Sequence, residues 1–306
     1  MDKKIHSLLI IGAGPAGIAC ALRAKELNME PLMLEQEKLA NTIENYVEGK
    51  QLFGVVGFFK KSPKELIDFY KEDLMRAKID LREGQKVISI KKKDGLFRVL
   101  TENDGFASKA VVLATGVQGT PQTLGIPGED NKPHVHYMLK DPKKFAGKRV
   151  VVVGGGDTAI EAAVALSSAG AETVLSYRRP EFFRAKELNV KHLEESKVDV
   201  RFSTNISKIH NKKVILRDAT DNLEEIRTDA IFILAGVVKN TGFYREIGLE
   251  LDKDENVVYD ENTLETSIPG LFVAGDISLK EKLIAPAMYQ GFKVASSVLM
   301  YNANSK

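Results

Sequence analysis

Two glycine fingerprints, each set between a strand-like apolar run and a helix-like run, constrain this chain more than any other feature. The first, Gly12-Ala13-Gly14-Pro15-Ala16-Gly17, follows the apolar run 8–11, and the second, Gly154-Gly155-Gly156-Asp157-Thr158-Ala159, follows the run 150–153. In such a unit the first glycine makes a tight turn, the second lets the backbone approach a pyrophosphate, and the third position packs helix on strand. The helix N-terminus favours the negative charge of the phosphates. Two matching units predict that the chain binds two dinucleotides.

The residues that end the second strand of each unit differ in charge. The first such strand, 31–35, ends in Glu35, at about the spacing of twenty residues at which a carboxylate binds the ribose hydroxyls of an adenine dinucleotide. The other, 173–177, ends in Arg178 and Arg179, with Arg184 close behind. A carboxylate there would repel a 2′-phosphate, whereas guanidinium groups bind it through charge-assisted hydrogen bonds. We therefore predict NADPH rather than NADH at the second site, bound by Gly154, Gly156, Asp157, Thr158, Ala159, Arg178, Arg179, Arg184 and Gly236.

The length and the strand pattern predict an α/β protein of two domains. A chain of 306 residues is long enough for two domains of ordinary size. Further buried strands are expected at 110–114 and 271–274, a hairpin around Asp94-Gly95, and a helix from Pro286 to Tyr301. Long crossovers between apolar strands indicate parallel sheets. A pair of dinucleotide sites is typical of a flavoprotein reductase that takes hydride from a nicotinamide. We expect two Rossmann-like three-layer domains, with a nicotinamide domain of 118–240 inserted into a flavin domain of 1–117 and 241–306.

Charge and cysteine content exclude several classes of function. The formal net charge of +2 gives no electrostatic case for nucleic-acid binding, and no apolar stretch is long enough for a membrane helix. The start of the chain carries no signal-peptide pattern, so a cytoplasmic location is expected. The single cysteine excludes an internal disulfide, Fe–S ligation and a cysteine-rich metal site. Cys20 is either a small residue that packs the first helix or a redox thiol with a pKa lowered by the helix N-terminus.

In combination, these motifs resemble the low-molecular-weight thioredoxin-reductase-like flavoproteins along nearly the whole chain. The two fingerprints, Ala114-Thr115-Gly116 and Ala274-Gly275-Asp276 occur in that family's order. The resemblance implies FAD in the first unit, a flavin-facing stretch at 287–290, and a homodimer. Asn45 is either a polar contact beneath the flavin or an ordinary turn residue. The FAD residues implied are Gly12, Gly14, Pro15, Ala16, Gly17, Glu35, Asn45, Thr115, Gly116, Gly275, Asp276 and Ile277.

The departures from that family concern the electron acceptor. Thioredoxin reductases carry a Cys-x-x-Cys before the second fingerprint, whereas the matching stretch of this chain, residues 136–141, contains no cysteine. A second departure lies at the nucleotide site, where Arg179 and Arg184 stand one residue further apart than in the family. His136-Tyr137 and the run 146–150 resemble thioredoxin-reductase-type ferredoxin (flavodoxin)–NADP reductases, whose C-terminal extension over the flavin is not expected here. The run 41–46 resembles bacillithiol disulfide reductases, whose fingerprint has a cysteine where this chain has Ala16.

The expected function is that of an NADPH-dependent FAD oxidoreductase. Electrons would pass from NADPH through FAD to an external acceptor, a ferredoxin, a flavodoxin or a quinone, and no catalytic side chain or metal is required because the flavin itself reacts. One alternative is a reductase of low-molecular-weight disulfides that uses Cys20. Another is a non-enzymatic flavin-binding redox sensor, which Arg178 and Arg179 argue against, because a site without its cofactor has no need of them.

Overall fold

The computed structural model describes residues 4–46, 52, 62–117, 119–130, 133–280 and 282–304. The strands are β1 Ile5–His6, β2 Leu8–Ile11, β3 Pro31–Leu34, β4 Asp80–Arg82, β5 Val87–Lys93, β6 Leu96–Thr101, β7 Gly105–Ser108, β8 Val111–Leu113, β9 Gly119–Pro121, β10 Val135–His136, β11 Arg149–Val153, β12 Glu172–Tyr177, β13 Asp199–Phe202, β14 Asn205–His210, β15 Lys213–Arg217, β16 Leu223–Arg227, β17 Ala230–Ile233, β18 Val237–Lys239 and β19 Leu271–Val273. The helices are α1 Pro15–Glu26, α2 Asn41–Glu44, α3 Pro63–Arg76, α4 Asp157–Ser168, α5 Glu187–Glu194, α6 Gly242–Glu246 and α7 Ile284–Asn304, with a 3-10 turn at Pro142–Phe145.

The described residues form two compact units. One contains the described parts of 1–45, 51–118 and 239–306, and the other contains 119–238 together with Tyr46. The chain therefore passes from the first unit to the second after residue 118 and returns after residue 238, where the sequence placed these crossings after 117 and 240. β9 and β18, which lie at the two crossings, pair with each other as a two-stranded sheet.

The first unit is built on a five-stranded parallel sheet in the order β19-β8-β2-β3-β4. Its inner strands are fully buried because both faces are covered, which explains why they read as continuous apolar runs. α1 packs on β2 and β3 on one side, and α7 packs on α1. On the other side, one hydrophobic core joins Leu9 and Ile11 of β2 to Phe97 and Val99 of β6. The sheet β1-β7-β6-β5, in which β1 and β7 are parallel and the other pairs antiparallel, thus forms the third layer.

Local sequence signals explain the turn between β5 and β6 and the start of α3, whereas the start of α7 differs from the expected position. β5 and β6 are joined through Asp94 and Gly95, which both have positive φ (52° and 75°), as a two-residue hairpin turn requires. α3 begins at a capping box, in which Ser62 and Glu65 satisfy each other's backbone N–H groups. α7 begins at Ile284 rather than at the expected Pro286, and the proline still lies within the first turn, where its missing N–H costs no hydrogen bond.

The second unit repeats the layered arrangement with a parallel sheet β10-β17-β11-β12-β13. Alternate residues of β11 point to opposite faces of that sheet. Val150 and Val152 join the core that includes α4, while Val151 and Val153 join the core beneath the antiparallel sheet β14-β15-β16. None of the helices in the described part of the chain is both long enough and apolar enough to span a membrane.

Candidate functional site

The turn between β2 and α1 contains three glycines with two different roles. Gly12 has φ +106°, and a Cβ there would overlap the carbonyl oxygen of Ala114, so only glycine fits. A Cβ on Gly17 would overlap the carbonyl oxygen of Gly12, so this glycine lets α1 lie close to the strand. A Cβ on Gly14 would meet no atom of the described residues within 4 Å. The protein's own packing thus accounts for Gly12 and Gly17, and the room beside Gly14 fits a bound pyrophosphate.

The N-terminus of α1 is open toward that space. Gly14 is the N-cap residue and has no side chain to accept a hydrogen bond from the first turn, and Pro15 stands at the start of the helix. The first N–H groups of a helix have no partner within the helix and must be satisfied from outside it. An anion at this position would satisfy them and would interact favourably with the helix dipole.

Glu35 follows β3 and is held beside the same turn by two backbone hydrogen bonds. Its Oε2 accepts from the N–H of Ala13 at 2.8 Å, and its Oε1 accepts from the N–H of Glu37 at 2.9 Å. Each carboxylate oxygen can accept more than one hydrogen bond. The oriented carboxylate therefore retains acceptor capacity for a pair of ribose hydroxyls, which is the role that the sequence predicts for it.

Two more groups of predicted FAD residues follow β8 and β19, whose carboxyl ends lie at the same edge of the parallel sheet as the β2 turn. The hydroxyl of Thr115 lies 3.1 Å from the hydroxyl of Tyr244 on α6, which fixes its orientation, and Gly116 has φ +65°. Tyr244 is buried, and burial raises the pKa of its hydroxyl, so it stays protonated and able to donate. Sequence reasoning did not find Tyr244, because no motif surrounds it.

The turn after β19 carries Asp276 and Ile277. Asp276 is half-buried, and desolvation raises the pKa of its carboxyl above the usual value, opposed by the charge of Lys282. The backbone N–H of Gly275 and the hydroxyl of Ser278 both donate to Oε1 of Gln290, at 2.8 and 2.7 Å. Gln290, expected as a flavin neighbour, therefore shapes the turn that presents Asp276.

Small residues let α7 and this turn approach the first fingerprint closely. A Cβ on Gly275 would lie 2.8 Å from the Cβ of Ala16, and a Cβ on Gly291 would overlap the carbonyl oxygen of Ala16. Ala16, with 4% of its surface exposed, is thus enclosed by two glycines. Its role in this structure is to let three backbone segments meet.

Asn45 ends α2, and its side chain serves that helix. Its Nδ2 donates to the backbone oxygen of Asn41 at 2.8 Å and to Oδ1 of Asn41 at 3.0 Å. These bonds are the ones expected of a residue that closes a short helix. The predicted contact between Asn45 and the flavin stays a prediction.

The second unit contains an open cleft of about 530 Å³ at the carboxyl ends of its parallel strands. The predicted nicotinamide residues that line it are Gly154, Gly156, Asp157, Thr158, Arg178, Arg179, Arg184 and Gly236. Ala159 does not line the cleft, because it is fully buried. A Cβ on Gly154 would lie 3.0 Å from the Cβ of Ala159. Its small side chain packs α4 on β11, as the third position of the fingerprint requires.

The glycines of the second fingerprint divide their roles as those of the first do. Gly154 has φ +141°, and a Cβ there would overlap the carbonyl oxygen of Leu234, whereas a Cβ on Gly156 would meet no atom within 4 Å. Gly156 is also the N-cap of α4 and leaves its first turn without a side-chain cap. This is again an arrangement that fits a pyrophosphate. Gly155 has a separate function that the sequence prediction missed, since a Cβ there would overlap the ring of Tyr177.

Asp157 lines the cleft, but its carboxylate is committed to α5. Its Oδ1 accepts from the backbone N–H of Lys186 at 2.9 Å and from Nδ2 of Asn189 at 2.8 Å. These two bonds fix the end of the loop 178–186, which carries the three arginines. Asp157 therefore positions that loop relative to the N-terminus of α4.

Arg178, Arg179 and Arg184 form an uncompensated positive cluster at the cleft. All three are exposed, and within the described ranges none of them makes an ion pair with a carboxylate. The guanidinium carbons of Arg179 and Arg184 lie 3.9 and 5.2 Å from the centre of the Phe183 ring. Like charges gathered without counter-ions favour an anion, and a phosphate monoester matches the donor geometry of guanidinium groups.

The chain's single cysteine lies inside α1 and has no exposed surface. Burial raises the pKa of its thiol far above the usual value. Since the thiolate is the reactive form, the folded protein presents no nucleophilic sulfur there. The structure thus supports packing as the role of Cys20. Across the described ranges, no group of three or more His, Cys, Asp or Glu side chains could hold a metal ion.

Comparison with known proteins places these features in a family. Residues 9–275 match the family described as pyridine nucleotide-disulphide oxidoreductase. The chain is 30% identical to a ferredoxin–NADP reductase of Ignicoccus hospitalis, covering 97% of this chain and 98% of the relative. It is 27% identical to the bacilliredoxin reductase Bdr of Bacillus subtilis, covering 95% and 96%. The fold of the bacillithiol disulfide reductase Bdr from Bacillus cereus superimposes with a TM-score of 0.89 at 22% identity, covering 97% and 99%. The expected two-domain α/β fold is confirmed by this likeness.

Proposed function

The chain belongs to the pyridine nucleotide-disulphide oxidoreductase family, and we propose that within it the protein passes electrons from NADPH through FAD to an external acceptor without using a protein thiol. Its NAD(P)H-dependent flavin oxidoreductase activity, with FAD and NADPH as cofactors, follows from the family and from the ferredoxin–NADP reductase relatives. The observation that carries the proposal is that Cys20, the only cysteine, is fully buried. A thiol relay needs an accessible thiolate, and this chain has no second thiol to resolve the mixed disulfide that such a thiolate would form.

Different residues of the first unit would bind different parts of FAD. When bound, FAD supplies the chemistry, since it accepts a hydride and can donate electrons one or two at a time. The space beside Gly14 and the open N-terminus of α1 would hold the pyrophosphate. Glu35, oriented by two backbone N–H groups, would accept hydrogen bonds from the ribose. Asp276, on the turn that Gln290 shapes, and Thr115, whose hydroxyl lies beside that of Tyr244, would position the part of FAD that lies beyond the phosphates.

The second unit would hold NADPH in the open cleft. Gly156 and the first turn of α4 would take the pyrophosphate, and the arginine cluster would bind the 2′-phosphate. A phosphate there would neutralise positive charge that no carboxylate among the described residues compensates. NADH has no 2′-phosphate, so it would make no such contact with the arginine cluster. We therefore expect a preference for NADPH.

The acceptor that we propose is a ferredoxin or flavodoxin, with a quinone as the next candidate. The relative with 30% identity is named for ferredoxin, which supports a protein carrier. Reduction of a low-molecular-weight disulfide remains the alternative, supported by the name of the Bacillus subtilis relative. Homodimer formation, which the resemblance implies, stays a prediction.

The test compares acceptors in the wild-type protein and in a Cys20→Ala variant. NADPH oxidation is measured with ferricyanide, with a ferredoxin and a flavodoxin, with a soluble quinone, with thioredoxin, and with bacillithiol disulfide. We expect turnover with ferricyanide and with at least one of the carriers, and equal rates in both proteins, because no step uses the buried sulfur. Thioredoxin should not be reduced.

Two outcomes would contradict the proposal. Rapid disulfide or thioredoxin reduction that is lost in Cys20→Ala would establish a thiol mechanism and would require α1 to open during turnover. Disulfide reduction that persists in the variant, with no turnover of ferredoxin, flavodoxin or quinone, would replace the carrier by a small disulfide as the acceptor. Flavin content and melting temperature serve as controls that the variant is folded.

A further inference from the structure

The loop 178–186 contains two adjacent phenylalanines that face different surroundings. Phe182 is half-buried, stacks on Tyr177 with ring centres 5.5 Å apart, and meets Phe202 edge to face at 4.9 Å. Tyr177 in turn lies against Gly155 of the fingerprint, where a side chain would overlap its ring. Phe182 therefore anchors the loop to β12 and β13 and to the phosphate-binding turn.

Phe183 is 49% exposed and contacts arginines instead. The guanidinium carbon of Arg179 lies 3.9 Å above its ring centre, and that of Arg184 lies 5.2 Å from it. All three residues line the cleft. Phe183 therefore contacts two cations at once, and the attraction of each cation to the electron-rich ring offsets part of their mutual repulsion.

The far end of the loop is also fixed. Oδ1 of Asp157 accepts hydrogen bonds from the backbone N–H of Lys186 and from Nδ2 of Asn189, at 2.9 and 2.8 Å. Phe182 anchors the middle of the loop and Asp157 its end. The arginines are thus arranged before any nucleotide is bound.

We propose that Phe183 is a specificity-determining positioning residue, which holds Arg179 and Arg184 in a preformed clamp for the 2′-phosphate of NADPH. This inference rests on the proposed NADPH preference. A guanidinium that stacks on a ring keeps its N–H donors in its own plane, so they stay free to bind a phosphate. The longer spacing between Arg179 and Arg184 provides two phenylalanines in the loop, one that anchors it and one that carries the arginines.

The benefit to binding is preorganisation. Arginine has among the largest rotamer freedoms of any side chain, and fixing it on binding opposes association. Because Phe183 restricts both arginines beforehand, less of that freedom is lost when the phosphate arrives. The effect should appear only with ligands that carry a 2′-phosphate.

The test measures binding of 2′,5′-ADP and of 5′-AMP to the FAD-loaded protein by calorimetry, so that no turnover is needed. Phe183→Leu keeps apolar bulk but removes the ring, and Phe183→Tyr keeps the ring as the matched control. We expect Phe183→Leu to weaken 2′,5′-ADP binding by about 5- to 30-fold, as the loss of two cation–π contacts would. Its affinity for 5′-AMP should be unchanged, and Phe183→Tyr should stay within about twofold of wild type for both ligands.

The outcomes separate this inference from the function on which it rests. If Phe183→Leu binds 2′,5′-ADP as tightly as wild type, or weakens both ligands equally, the clamp is wrong while the NADPH preference stands. If Phe183→Tyr is as weak as Phe183→Leu, the ring is not the feature that matters, and the inference fails as well. If wild-type protein does not prefer 2′,5′-ADP over 5′-AMP, the NADPH preference itself is wrong. Because Phe183 is exposed, unchanged flavin content and melting temperature are expected in both variants.

Discussion

The carboxylate of Glu35 and the backbone N–H of Ala13 are hydrogen-bonded at 2.8 Å, which ties the residue after β3 to the glycine turn that follows β2. The second carboxylate oxygen of Glu35 accepts from the N–H of Glu37 at 2.9 Å. The side chain that would bind the ribose is therefore oriented by the same backbone that would bind the pyrophosphate.

Replacing Glu35 by Gln should weaken FAD binding. One side-chain oxygen becomes an NH2 group, so the side chain loses its negative charge, one acceptor for the ribose hydroxyls and one of the two hydrogen bonds that orient it; a hydrogen bond to a charged group contributes about 1.5–3 kcal/mol. The fraction of protein that retains flavin after gel filtration and dilution measures the effect. Glu30→Gln, which alters an exposed pair with Lys25, is the matched control and should retain flavin. Full flavin retention in Glu35→Gln would refute the ribose role.

Gly12 and Gly14 should respond to substitution in opposite ways. Gly14→Glu has room for its side chain within the protein and an ordinary φ of −81°, so the variant should fold but exclude FAD by volume and charge. Gly12→Ala should destabilise the fold, since its Cβ would overlap the backbone of Ala114 at a φ that alanine rarely adopts. Flavin absorbance and thermal melting separate the two effects. If Gly14→Glu purified with a full complement of FAD, the first site would be misassigned.

Removing Arg178 and Arg179 together should impair the use of NADPH and spare NADH. Each charge-assisted contact with the 2′-phosphate contributes about 1.5–3 kcal/mol, so kcat/KM for NADPH should fall by about a hundredfold or more. Steady-state ferricyanide reduction with each nucleotide provides the measurement. Arg98→Ala, an exposed arginine of β6 in the other unit, is the control and should leave both values unchanged. Equal losses with both nucleotides would show that these side chains do not bind the 2′-phosphate.

Glu129 should stabilise the second unit in a pH-dependent manner. Burial works to raise the pKa of Glu129, but hydrogen bonds from the backbone N–H groups of 124–126 and from the Tyr137 hydroxyl outweigh it and hold the pKa below its usual value. The stabilisation is therefore complete above the usual pKa of 4.5 and is lost as the pH falls through the lowered value.

Glu129→Gln should accordingly lower the melting temperature at about pH 7, and the difference from wild type should shrink as the pH falls below about 4.5. Tyr137→Phe removes one of the donors and should have a smaller effect in the same direction. Melting curves of the three proteins across that pH range test this. A difference that stays constant with pH would mean that the charge of Glu129 contributes nothing.

Features that depend on neighbouring residues in the sequence could be predicted, whereas those that join distant segments could not. The turn at Asp94-Gly95 and the buried β11 follow from local pattern, and so does the need for glycine at position 12, because a fingerprint specifies its own turn. The pairing of Thr115 with Tyr244 joins residues 129 positions apart in the sequence, and no motif marks it. Gly155 could be predicted only in part. The sequence shows three consecutive glycines, but the ring that requires glycine at the middle position belongs to Tyr177, a residue distant in the sequence.

Some side chains lie in the predicted region but make hydrogen bonds within the protein that the sequence did not predict, because a fingerprint fixes backbone positions better than it fixes side-chain hydrogen bonds. Asp157 lies in the fingerprint, yet its carboxylate binds the start of α5. Gln290 lies on the expected helix, yet its oxygen binds the turn at Gly275. In both cases a buried or half-buried polar group is satisfied by the nearest backbone N–H.

The complete burial of Cys20 also makes this sulfur a natural reporter of structural opening. It lies in α1, one side of which packs on β2 and β3 while α7 covers another. A thiol-specific reagent can reach it only after these segments separate, so the labelling rate in mild denaturant measures the free energy of that opening without an engineered probe. Because α1 begins at the turn proposed to bind FAD, adding flavin should slow the labelling to the extent that FAD stabilises this part of the fold.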